Sequence, residues 1–178
     1  MMKAIRLCLA GALLAVGIPL TAQAQTPVVV QVQVNGTCAL SAPVDATFGA
    51  QSPTGVTNLT TTGSVTLTCN RGALPVVSVG NGNNFSGTRR MAGGTPTGYV
   101  GYNVKQPTIS GTNNYTVCPA FGAGADWGST APTDTLSASA AFTGSGGPRT
   151  VNLCFQTTVD QDTAVATYTD TVQVSVTF

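Results

Sequence analysis

An all-β fold is what this sequence predicts, and three observations carry the prediction. Thr, Val, Gly, Ala, Ser and Asn dominate, with no Glu and no His, so strong helix formers are sparse beyond residue 24. Short runs alternate apolar and polar residues with the two-residue period of a strand. Gly, Pro and Asn bound nearly every run, which is the punctuation of turns. A length of 178 residues suits one sandwich domain once a leader is set aside.

The leader is residues 1–24. Lys3 and Arg6 form a charged start, and residues 7–20 supply an apolar stretch too short and too rich in small residues to span a membrane. Ala22-Gln23-Ala24 gives a small-x-small cleavage site, so the mature chain is expected to begin at Gln25, with Cys8 lost. The product is then exported. Beyond the leader, Arg71, Arg89, Arg90, Lys105 and Arg149 face Asp45, Asp126, Asp134, Asp160, Asp162 and Asp170, five against six, a net charge of −1. That balance lacks the basic face nucleic acid needs. It also removes much of the electrostatic protection against self-association.

Residues 25–36 form the leading segment. Val28, Val30, Val32 and Val34 fall on every second position, so an extended backbone points all four to one side. Val29, Gln31, Gln33 and Asn35 take the other side, and residues 31–34 read as a clean strand. The opposite end matches it: Val172, Val174, Val176 and Phe178 alternate with Thr171, Gln173, Ser175 and Thr177. A body that closes on a core strand is expected to leave a groove at its flank, and a leading apolar strand could fill one. Pairing of the two between neighbouring molecules would be strand addition.

Between these ends the body, residues 37–178, is read in order. A strand is expected over 39–49, with Pro43 marking an edge or a switch between sheets. Further strands follow over 64–69 and 74–80, and Asn81-Gly82 signals a tight turn. Residues 80–87, Gly-rich but without a Lys or a following helix, read as a hairpin loop rather than a phosphate cradle. Shorter runs over 88–92 and 99–105 are also strands. Residues 106–147 carry turn residues and the only tryptophan, Trp127, with no legible period. Alternation resumes over 150–159 and again over 169–178.

Four cysteines remain in an exported chain, Cys38, Cys69, Cys118 and Cys154, which implies two disulfides with three possible connectivities. Cys38 follows the leading strand and Cys69 ends the run Val65-Thr66-Leu67-Thr68, which favours joining them. That bridge would close a loop of about 30 residues, worth roughly 3 kcal/mol in the chain-entropy model. Cys118–Cys154 follows by elimination. A metal site is disfavoured, because there is no CxxC spacing and no His.

No cofactor and no catalysis are expected. An enzyme needs acid, base or nucleophile in concert. Here the six carboxylates are all Asp, and Asp160 and Asp162 read as a solvated turn. Arg89, Arg90, Tyr115, Phe121 and Trp127 are candidates for surface contact, though edge charge and core packing explain them as well.

Several short motifs in order resemble the spore coat protein U domain family, the fold of archaic chaperone–usher pilus subunits. They are Cys38-Ala39-Leu40-Ser41 with Phe48-Gly49, the run from Gly63 to Cys69, Arg90-Met91, Gly101-Tyr102-Asn103-Val104, Trp127-Gly128, and Tyr168-Thr169-Asp170-Thr171-Val172 with the terminal Phe178. Ala166 stands where the pattern has a glycine, and Cys118 and Cys154 are additional to the family's single bridge. The resemblance implies an incomplete immunoglobulin-like β-sandwich, final strand missing, with an N-terminal donor-strand extension. It implies a periplasmic pilus chaperone, an outer-membrane usher, and other copies of itself or related pilins as partners. On that basis Val172, Val174, Val176 and Phe178 line an acceptor groove, and Val28, Val30, Val32 and Val34 fill a neighbour's. The expected role is a subunit of a cell-surface fibre built by donor-strand exchange and supporting adhesion and biofilm. A spore or cell coat protein and a carbohydrate- or surface-binding adhesin module are the alternatives. A single domain with a good arm favours a shaft or adaptor subunit over a tip.

Overall fold

A computed structural model describes residues 28–111, 113–128 and 134–178. The leader and the first three residues of the leading segment lie outside the described residues. The chain divides into two units between Gln33 and Val34. The second unit is all-β: β1 (Cys38–Val44), β2 (Thr57–Cys69), β3 (Val76–Val79), β4 (Arg90–Gly93), β5 (Gly98–Lys105), β6 (Leu136–Ser137), β7 (Gly147–Val159) and β8 (Val174–Thr177). One 3-10 turn, Ser139–Phe142, interrupts the strands.

Two antiparallel sheets result. One has the order β1-β2-β7-β5-β4 and the other β6-β3-β8. The spine of the larger sheet is the β2–β7 ladder, which runs unbroken from Thr57↔Val159 to Cys69↔Gly147. Alternation decides which face goes inward. Val65 and Leu67 of β2, Val100, Tyr102 and Val104 of β5, and Val151 and Leu153 of β7 are buried. All of these but Val100 meet Val77 and Val79 of the smaller sheet, and Trp127 and Phe142 from the connecting segments, in one core. The Trp127 indole nitrogen donates to the Val77 carbonyl at 3.0 Å, so the one polar atom of the largest core side chain is satisfied.

β7 is covered on both faces. Cys154 and Gln156 point away from the core yet are 2% and 3% exposed. The cover comes from the segment around residues 117–124. Cys118 is bonded to Cys154, and the Gln156 side chain accepts from the Gly122 amide (2.9 Å) and donates to the Ala120 carbonyl (3.0 Å).

Four expectations are corrected. The first body strand ends at Val44 and not at residue 49, because β1 shifts register between Ser41 and Val44, where Ala42 takes a positive φ of 49° beside Pro43. β1 is an edge strand, as the proline suggested. Gly63 lies opposite this irregularity, and a Cβ there would come within 2.8 Å of the Val44 carbonyl oxygen. β2 starts at Thr57, seven residues before the expected position. Residues 80–87 are a crossing between sheets and not a hairpin, since β3 pairs with β6 and β8 while β4 pairs with β5. Finally, only Val174–Thr177 of the C-terminal run joins a strand ladder.

Candidate functional site

The site begins with two unfinished edges. β8 pairs with β3 through Val76↔Thr177, Val77↔Val176, Ser78↔Ser175 and Val79↔Val174. Among the described residues nothing pairs with its other side. β1 likewise pairs only with β2. The two edges lie near each other with no hydrogen-bonded pair between them.

Burial marks the same place. On β3, Val77 and Val79 are 0% exposed. On the neighbouring strand run, Val172, Val174 and Val176 pack against the same core but are only half-buried, as is Leu40 of β1. The chemistry of these side chains is alike, so the difference is one of position: one flank lacks a neighbour. Phe178 lies past the end of β8 and is 62% exposed.

The leading segment also leaves its apolar side chains uncovered. Val28, Val30, Val32 and Val34 are all largely exposed, and the stretch expected as a strand has no ladder of its own. Its base is held firmly. Asn70, just past β2, donates from its side-chain amide to the Asn35 carbonyl (2.8 Å), and its side-chain oxygen accepts from the Thr37 amide (2.8 Å). The Asn70 backbone amide donates to the Thr37 carbonyl at 3.2 Å. Cys38–Cys69 closes the clasp covalently. Both bridges form with the pairing expected from the sequence. The asparagine clasp was not foreseen, because its partners are backbone atoms more than thirty positions away.

A polar cluster fixes the entry to β8. Asp170 accepts a 2.6 Å hydrogen bond from the Tyr102 hydroxyl on one carboxylate oxygen. Its other oxygen accepts from the Asn84 backbone amide (3.1 Å) and side-chain amide (3.0 Å). Gly82, with φ of +87°, approaches so closely that a Cβ would meet the Tyr102 hydroxyl at 2.9 Å. Burial, followed by the hydrogen bond to Asp170 and that carboxylate's charge, holds the Tyr102 hydroxyl well above the ordinary phenol range. Arg89 donates to the Val79 and Gly80 carbonyls at 2.8 and 2.9 Å. Burial of this guanidinium lowers its pKa from the usual value.

The other sequence candidates separate. Trp127 and Tyr115 are core residues, 0% and 5% exposed. The Tyr115 hydroxyl donates to the Ser137 carbonyl, and burial raises its pKa. Arg90 lies over the Tyr99 ring at 3.8 Å from the centroid and donates to the Asn84 carbonyl. Of the three aromatic candidates only Phe121 keeps an exposed ring, at 40%. Asp160 accepts from the Asp162 amide and the Thr163 hydroxyl, which is a self-contained turn. No helix among the described residues is long and apolar enough to cross a membrane.

No curated protein matches the chain. Among solved structures it is similar to the crystal structure of the CsuC–CsuE chaperone–tip adhesion subunit pre-assembly complex from the archaic chaperone–usher Csu pili of Acinetobacter baumannii. The TM-score is 0.49 with 20% sequence identity, over 82% of this chain and 40% of that one. The chain thus spans about two fifths of the length of that structure's chain. The family model for the Spore Coat Protein U domain matches residues 24–175. Running from the leading segment across both disulfides and into β8, that match establishes that the chain belongs to the Spore Coat Protein U domain family, a family of structural subunits rather than enzymes.

Proposed function

We propose that the protein is a structural subunit of a chaperone–usher surface pilus that polymerises by donor-strand exchange. Residues 1–24 are its signal peptide, 25–36 its donor strand and 37–178 its body. The observation that carries this reading is the half-buried row of Leu40, Val172, Val174 and Val176 beside two unpaired strand edges. The exposed valines of the leading segment have the length and the two-residue period to complete such a row.

The energetics favour filling the row. Covering four valines is worth very roughly 1.5–3 kcal/mol each, and a ladder of backbone hydrogen bonds adds to that. Left open, the edges are an aggregation hazard, which is the physical need a periplasmic chaperone meets by lending a strand until an outer-membrane usher replaces it. The exported subunits would then form a cell-surface fibre supporting adhesion and biofilm.

Deleting residues 25–35 and co-expressing the remainder with its chaperone tests the reading. The truncated body is expected to stay chaperone-bound and to be missing from the heat-sensitive ladder that surface material gives on electrophoresis without boiling. Fibres of normal length from the truncated chain would refute the donor role. The family's name supports a second reading, a coat protein, and a genome lacking adjacent chaperone and usher genes would favour it.

A further inference from the structure

The second disulfide builds something on the outer face of the large sheet. Cys118–Cys154 and the two hydrogen bonds of Gln156 strap residues 118–122 across β7. The strap brings Phe121 to a cleft of about 350 Å³, shared with Gly101 and Asn103 of β5, Thr158 of β7, and Thr88 and Arg89 ahead of β4. This is at the small end of the range of ligand pockets, about 300–1,000 Å³.

The lining selects a ligand class. No carboxylate lines the cleft, and its one charged side chain, Arg89, already donates to the Val79 and Gly80 carbonyls. Nothing there can hold a cation by charge, and the Arg89 guanidinium is anchored to the backbone. What remains is an exposed aromatic ring beside neutral polar groups. Among the described residues the Asn103 side-chain amide, on the exposed face of β5, makes no hydrogen bond, so it offers both a donor and an acceptor. The Thr158 hydroxyl donates to the Asn58 side-chain oxygen at 2.9 Å, which leaves its own oxygen free to accept. Gly101 leaves the space between them clear, the nearest atom to a Cβ there being the Arg89 carbonyl oxygen at 3.9 Å.

We propose that this cleft binds one or two pyranose rings of a neutral saccharide. The C–H face of the sugar stacks on Phe121, and adjacent hydroxyls bond to the Asn103 amide and to Thr158. A pyranose combines an apolar face with a hydroxylated edge, as the lining does. The strap supplies preorganisation, since the ring that does the stacking is held on a strand by a covalent tie and not on a free loop. The site lies on the exposed side of the large sheet, whereas the half-buried valine row faces the core. It does not depend on how copies assemble.

The test uses the full mature chain in whatever assembly state it adopts. Its binding to an array of immobilised neutral, sialylated and sulfated oligosaccharides is measured, and the best neutral disaccharide is then titrated by calorimetry. Selective binding of neutral glycans is expected. Phe121→Ala and Asn103→Ala should each weaken it about tenfold without changing the thermal midpoint or entry into polymers. Cys118→Ser with Cys154→Ser should weaken it as well by releasing the strap. Absence of binding to every neutral glycan, binding confined to charged ones, or affinity unchanged in both the Phe121 and Asn103 variants would overturn the proposal.

Discussion

Asp170 shows how much one side chain can organise. Its carboxylate accepts three hydrogen bonds that tie the crossing after β3, the strand β5 and the entry to β8 at one point. Asp170→Ala is expected to cost about 1–3 kcal/mol in urea unfolding, because the Tyr102 hydroxyl and the Asn84 amides lose their acceptor. Tyr102 adds a pH dependence of determinate sign. Its folded pKa lies above the unfolded value of 10.0, so the folded state holds the proton more tightly. The associated stability is fully present below pH 10 and is lost as pH rises through the folded value. Thermal midpoints measured from pH 8 upward should fall above pH 10, and Tyr102→Phe should flatten that fall while lowering the midpoint at pH 8. An equally steep decline in the variant would assign the effect to another group; Tyr115, also raised by burial, is the nearest candidate. Tyr102 and Asp170 stand in two of the motifs that carry the family resemblance, but nothing in the sequence joins the two. A hydrogen bond between residues 68 positions apart leaves no trace in local periodicity.

At the scale of elements, the sequence speaks where burial on a single face imposes a period and falls silent elsewhere. Val65 and Leu67 of β2 and the β5 alternation were readable because one face meets the core and the other does not. β7 kept a legible period because its outer face, although covered at Cys154 and Gln156, carries Asn152, Gln156 and Thr158. Residues 57–63 of β2 were missed because Thr57 and Thr61 take inward positions that an apolar pattern would have marked; the ladder to β7 holds them in the strand. β6 and the 3-10 turn were invisible for a related reason. Ala138, Ala141 and Phe142 are buried through short irregular backbone, which has no period to detect. In the C-terminal run, Thr169 bridges to Ala92 and the Gln173 carbonyl accepts from the Gly80 amide, so the run follows two different partners and only its second half pairs as a strand. The valine row could be inferred from alternation and a groove beside it was expected; the structure adds that Val174 and Val176 are only half-buried where Val77 and Val79 are fully buried. A synthetic peptide of residues 26–35 added to the arm-deleted body is expected to raise its thermal midpoint in a concentration-dependent way, as any ligand of the folded state must. The same peptide with Val30→Asp and Val32→Asp should leave the midpoint unmoved, and equal stabilisation by both peptides would remove the valines from the interaction.

For the molecule as a whole, the two disulfides divide the labour. Cys38–Cys69 closes the base of the leading segment onto the long β2–β7 ladder, and Cys118–Cys154 lashes an irregular segment to the far face of the same ladder. Replacing the first pair by serines should lower the unfolding free energy by roughly 3 kcal/mol, the chain-entropy value for a loop of this size. Chemical denaturation of the Cys38→Ser/Cys69→Ser variant measures it, and a loss well under 1 kcal/mol would mean that the Asn70 clasp alone fixes the base. That clasp has a mechanical corollary. Force pulling on the leading segment enters the body at residues 35–38, where the bridge passes it at once to a strand hydrogen-bonded along its full thirteen-residue length. Tension thereby enters the interior of the large sheet through a covalent tie and not through the edge strand β1 alone. In a fibre of such subunits the weakest link under load would be the joint between neighbours, and each bead would survive the rupture of its thread.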